Sequence, residues 1–160
     1  MAWKTELVQM VRNIIGDISL DSPTYSDERL QEIILVSAQL LQGELDFDNS
    51  YTIDVDECGL TPDPTISPKD DGFINLVVLR TSCIIANSEF RTAANNAYNF
   101  VDGPAKIDGR DVAESLYKYA QDICGMFEKA KKAYRAGNSI SGAIVVSPYR
   151  VYDIGYTNRR

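Results

Sequence analysis

Asp108-Gly-Arg-Asp-Val-Ala-Glu-Ser-Leu-Tyr-Lys-Tyr-Ala-Gln-Asp-Ile-Cys-Gly-Met-Phe-Glu-Lys-Ala-Lys-Lys-Ala-Tyr-Arg-Ala136 carries its own helix start and stop. Asp108 is a cap residue and Asp111 stands three positions later, while Ile107 and Val112 occupy the two places of a hydrophobic staple. Val112, Leu116, Tyr119, Ile123, Met126 or Phe127, Ala130 and Tyr134 recur in steps of three and four, one apolar stripe over about three heptads. At 1.5 Å per residue the helix is about 40 Å long. Lys129, Lys131, Lys132 and Arg135 gather in its last turns, where cations suit the dipole, and Gly137 ends it. The stretch after it is of another kind: Ser139-Ile-Ser-Gly-Ala-Ile-Val-Val-Ser-Pro-Tyr-Arg-Val-Tyr-Asp153, apolar and nearly uncharged. A lone strand cannot satisfy its own backbone donors and acceptors, so such a tail needs something to pair with.

Working back from that helix, three more emerge. Trp3, Leu7, Met10, Val11, Ile14 and Ile18 repeat at helical spacing, with a stop near Gly16. Ser26 caps a second helix, Asp27 and Glu28 occupy its first turn, and Tyr25 with Leu30 forms a staple. Its expected buried stripe is Leu30, Ile33, Ile34, Ser37, Leu40, Leu41 and Leu45. A third helix is expected from Ser67-Pro68, with Asp70 completing a capping box, and is expected to run to about Val101, where Asp102-Gly103-Pro104 breaks it. Its first half is apolar nearly all round, the mark of a central helix packed on several sides. Between helices two and three, Tyr51, Ile53 and Val55 alternate with Thr52, Asp54 and Asp56 as in a short strand, and Pro62, Pro64 and Pro68 extend the loop. The fold class expected is mainly α: a four-helix bundle-like domain over residues 1–138, a short β element in the loop at 46–68, and an extended C-terminal arm over 139–160.

The chain has 160 residues, 44% of them apolar and 24% charged, which is the composition of one globular domain. Its net charge of −7 opposes general binding to phosphate backbones. The arm is the exception, with Arg150, Arg159 and Arg160 against Asp153. There are no histidines, which removes the commonest general base and metal ligand. The three cysteines, Cys58, Cys83 and Cys124, form no CxxC pair, and the expectation is buried thiols in a reducing compartment. The N-terminus lacks signal-peptide architecture. The apolar run Phe73–Ala86 reads as too short to span a bilayer, so a soluble intracellular protein is expected.

One constellation has ligand spacing. Asp46, Asp48, Ser50, Thr52, Asp54 and Glu57 place oxygen donors at positions one, three, five, seven, nine and twelve of a calcium loop. Tyr51 stands where that loop needs glycine, and Gly59-Leu-Thr-Pro62 replaces the exit helix. A solvated acidic edge strand is the preferred reading. Asp70-Asp71 and Asp122 with Glu128 have no nucleophile or base at defined spacing, and no glycine loop carries GK[ST]. No enzyme activity, cofactor or metal is expected.

The order of elements, and the segment Tyr25-Ser-Asp-Glu-Arg-Leu-Gln-Glu-Ile-Ile-Leu-Val-Ser-Ala-Gln-Leu-Leu41 in particular, resembles the head–tail connector, or neck adaptor, proteins of tailed bacteriophages. The resemblance covers most of the chain as an order of elements, and Ser26 to Leu45 is the part that looks most like the family's ring-forming helices. It implies a homo-oligomeric ring, often of twelve copies, between the portal protein and the tail or a second neck protein. DNA passes through the bore without sequence-specific binding. The protein would be made in the host bacterial cytoplasm, act in the virion and touch no membrane. Partner binding falls to the arm: Ile144, Val145, Val146, Tyr149, Val151 and Tyr152 as apolar contacts, Arg150 and Arg159 as charged ones. Two other classes compete. One is a cellular helical module that binds partners by strand addition of its tail; the other is a carboxylate enzyme using a divalent metal.

Overall fold

The computed structural model describes residues 2–19, 21–95, 99–102 and 105–138. The fold is mainly helical, as expected. Helices α1 (Trp3–Ile15) and α2 (Asp27–Glu44) precede a hairpin, β1 (Thr52–Asp54) with β2 (Gly59–Thr61). Helix α3 (Asp71–Asn95) comes next, then a second hairpin, β3 (Asn99–Asp102) with β4 (Ala105–Asp108), and finally α4 (Gly109–Asn138). Both hairpins are antiparallel, with Ile53 opposite Leu60 and Phe100 opposite Ile107. The partner-binding residues proposed on the arm, Ile144 to Arg159, lie outside the described residues.

Helix α3 is the hub. It packs against α1, α2 and α4, most extensively α4. Phe73, Ile74, Leu76, Val77, Val78, Ile85 and Ala86 are all buried, as a helix apolar nearly all round requires. Thr81 and Ser82 are buried too, and their hydroxyls donate back to the carbonyls of Val77 (2.8 Å) and Val78 (2.9 Å), so neither needs an outside partner. By length and composition this 25-residue helix could cross a membrane, although the run Phe73–Ala86 alone read as too short. Half of its most apolar window is buried inside the fold.

The core is assembled from every helix: Trp3, Leu7 and Val11 of α1, Leu30, Ile34, Leu35 and Leu41 of α2, the α3 set, and Phe127 of α4. Each side chain of this size contributes about 1.5–3 kcal/mol on burial. Tyr51 stacks on Phe73 with ring centroids 4.0 Å apart, and Phe47 meets Phe73 edge-on at 5.1 Å, which ties the 46–68 loop to the start of α3.

Several expectations shift in register. Gly16 adopts φ +78 and ends α1, so Ile18 swings out of the stripe and is 71% exposed. On α2 the buried face is rotated: Leu35 and Ala38 are inside, whereas Leu40 is exposed. Ser26 does cap that helix, accepting from the Arg29 amide at 3.3 Å. Helix α3 begins at Asp71 rather than at Ser67-Pro68, because Asp70 is the residue whose carboxylate accepts from the Phe73 amide (2.9 Å). It ends at Asn95 rather than near Val101, since residues 99–102 pair with 105–108, Asp102 standing opposite Ala105. On α4, Phe127 takes the core position and Met126 is exposed; Val112 is exposed as well and does not act as a buried staple. The largest correction concerns the thiols. Cys83 and Cys124 are joined as a disulfide between α3 and α4, and Cys58 is free. Spacing along the chain could not reveal that pairing, because it depends on how two helices face each other.

Candidate functional site

The arm departs from the end of α4, and that end is fixed by a charged cluster. Glu44 closes α2. Its carboxylate bonds Arg80 of α3 and Lys131 of α4, both at 3.2 Å, while its backbone carbonyl accepts from Arg135 at 3.0 Å. Cations at the carboxyl end of α2 are favoured by its dipole and by its orphan carbonyls. Lys131 also bonds Glu128 at 2.8 Å. That contact first, and Glu44 next, hold the Lys131 ammonium above its ordinary pKa against the opposing effect of burial. The Arg80 guanidinium and the Lys131 ammonium each stand 5.0 Å from the centre of the Phe127 ring. Sequence reasoning read Lys131 and Arg135 only as dipole partners of their own helix. The signal it missed is Glu44, an isolated carboxylate at the last position of α2.

An apolar groove lies further back along the same face of α2. Ile33, Val36, Leu40 and Glu44 are spaced three, four and four residues apart and so share one face of α2. Val36 is 40% exposed and Leu40 44%. Ile33 and Val36 line a groove of about 480 Å³ together with Ile84 of α3 and Val55 of the first hairpin; Arg29, Glu32 and Asp56 form its polar rim.

Two other polar sites have structural work to do. Arg12 on α1 bonds Asp17, Asp27 (2.7 Å) and the carbonyl of Tyr25 (2.7 Å). Asp17, 8% exposed, also accepts from the amides of Thr24 (2.8 Å) and Tyr25 (3.4 Å). Burial alone would raise the Asp17 pKa, yet these backbone donors and Arg12 carry it below the ordinary carboxylate value. The network pins the link from α1 to α2 and borders a 420 Å³ cleft with Lys4, Gln9 and Gln31. Asp63 plays the same part for α1. Ala2 offers no side-chain cap, and Asp63 accepts from the Trp3 amide at 3.2 Å across sixty residues of sequence.

The acidic segment with calcium-loop spacing folds as a hairpin instead. Thr52 and Asp54 lie on β1, and Asp54 accepts from the Glu57 amide at 2.9 Å to close the turn. Among the described residues, no three His, Cys, Asp or Glu side chains come together as a metal site. Of the tyrosines in the last third, Tyr119 packs beside the small cluster of Ala86, Ala120 and Ile123, and Tyr134 packs at the α3–Phe47 corner. Tyr117 is 45% exposed beside Phe90. Tyr149, Tyr152 and Tyr156 lie outside the described residues. Comparison with protein-family models, with curated proteins and with solved structures gave no match.

Proposed function

We propose that the chain is a structural protein of the bacteriophage neck, forming a ring that joins portal to tail and lets DNA pass. The observation that supports this most is the core that the described helices form among themselves. Its deepest side chains run from Trp3 to Phe127 and draw on all four helices. Against that body, the apolar, locally basic sequence of residues 139–160 is read as the segment offered to a partner. Ile144, Val145, Val146, Tyr149, Val151 and Tyr152 supply its contact surface, with Arg150 and Arg159 as charge contacts. The acidic body, more negative than the net −7 of the whole chain, keeps a bore from adhering to DNA.

The test mixes the full chain with isolated portal protein and images the product. A closed ring on the portal face is expected, and truncation after Gly137 should leave the fold intact and abolish the ring. A simple dimer or one-to-one complex would favour a cellular binding module instead, and loss of folding on truncation would return the arm to the core.

A further inference from the structure

We propose that the α2–α3 groove is the docking place of the chain's own arm, with Ile144-Val145-Val146 lying across Val36, Ile33 and Ile84. Reach is the first argument. Lys131 and Arg135 hold the end of α4 against Glu44, so the arm begins beside the carboxyl end of α2. From Glu44 back to Val36 and Ile33 is about 12 and about 16 Å along the helix, and α4 overshoots Arg135 by three residues, about 4–5 Å. The arm must therefore travel back about 17–21 Å. Seven extended residues beyond Asn138 cover about 23 Å, which brings Val145 over Val36 and Ile33. Those three consecutive β-branched residues are the most apolar part of the arm, and they fall where the groove is most apolar.

Charge is the second argument. The arm carries a net positive charge, and the body it must lie on carries an excess of negative charge larger than the whole chain's −7. On the groove's rim Arg29 and Glu32 pair with each other at 3.0 Å, which leaves Asp56 as the rim's net negative charge, the one Arg150 would meet. The exposed Leu40 lies between the cluster and the groove that Val36 lines, and a covering segment removes both from water. Docked this way, the arm is stored on its own body, and a partner must displace it. The inference does not depend on the ring reading: a stored arm would serve any strand-adding protein, and the ring could exist without storage.

The test is hydrogen exchange monitored by mass spectrometry on the full chain. The amides of Ile144–Val146 should exchange at least about tenfold more slowly than in a synthetic 139–160 peptide, to the same degree at every protein concentration. The double variant Val36→Glu, Leu40→Glu should abolish that protection while α3 amides keep theirs, since both side chains already face water. Val145→Asp, which lies in the arm and leaves the body untouched, should do the same. Exchange at the free-peptide rate, or protection that survives both changes, would overturn the proposal. So would protection that grows with protein concentration, which would place the arm in the groove of a second copy.

Discussion

Cys83 on α3 and Cys124 on α4 are covalently joined, with Cα atoms 4.8 Å apart, midway along the largest helix–helix interface of the fold. The bond closes a segment of 41 residues that contains the whole β3–β4 hairpin. Constraining a loop of that length in the unfolded chain is worth about 2–4 kcal/mol. Reduction, or the change Cys83→Ser, should lower the melting temperature by several degrees without altering the helical circular-dichroism signal. Equal melting curves with and without reductant would show that the bond is not formed in solution.

Asp17 predicts a pH signature. Its folded-state pKa lies below the ordinary value of 3.8, so its ionised form stabilises the fold above about pH 4 and that contribution disappears as pH falls through the lowered pKa. Asp17→Asn should cost about 2–3 kcal/mol at pH 7, since a buried acceptor of two amides and a guanidinium is weakened. The deficit relative to the parent chain should shrink at about pH 2. Denaturant titrations at the two pH values measure it, and a pH-independent deficit would assign the cost to packing alone.

Gly72 and Tyr134 should couple. A Cβ on Gly72 would stand 2.9 Å from Cε2 of Tyr134, closer than packed atoms allow. Gly72→Ala should therefore destabilise the parent chain by about 1–3 kcal/mol, although alanine is the better helix former. With Tyr134→Ala already in place, the same change should be neutral or stabilising by up to about 1 kcal/mol. A double-mutant cycle with no coupling would show that the ring moves aside freely.

Phe127 is 1% exposed and has a cation at each of two contacts. Phe127→Ala should cost about 3–5 kcal/mol, the most of any α4 substitution, while Met126→Ala, one position away and 54% exposed, should stay within about 0.5 kcal/mol. Chemical denaturation of the two variants side by side gives the contrast.

Helix number, order and the first strand, though not its partner Gly59–Thr61, are legible because each rests on local chemistry: Ser26 caps α2, Gly16 ends α1, and Tyr51, Ile53 and Val55 alternate. What was hidden depends on partners far along the chain. Asp63 reaches Trp3, Glu44 gathers Arg80, Lys131 and Arg135, and Cys83 meets Cys124, none of which leaves a mark at fixed spacing. The Phe127 or Met126 ambiguity is of the same origin, since both satisfy a three-or-four step and only the facing helix distinguishes them. Helix α3 was overrun to Val101 because nothing local to Asn95 stops a helix as firmly as the pairing of residues 99–102 with 105–108 does. For the site, the residues expected on the arm lie outside the described residues, and Leu40, which helical spacing assigns to the core stripe, lies on the surface.

Helix α3, buried on three sides, has a consequence for biosynthesis. Its α1 and α2 neighbours precede it in the chain, but Phe127 and Tyr134 cover it from more than thirty residues downstream. A nascent chain that has released α1, α2 and α3 therefore exposes one bare flank of its most apolar helix until translation has passed Tyr134. The native state is committed only once α4 has been made, and the interval before it is when chaperones would meet this protein.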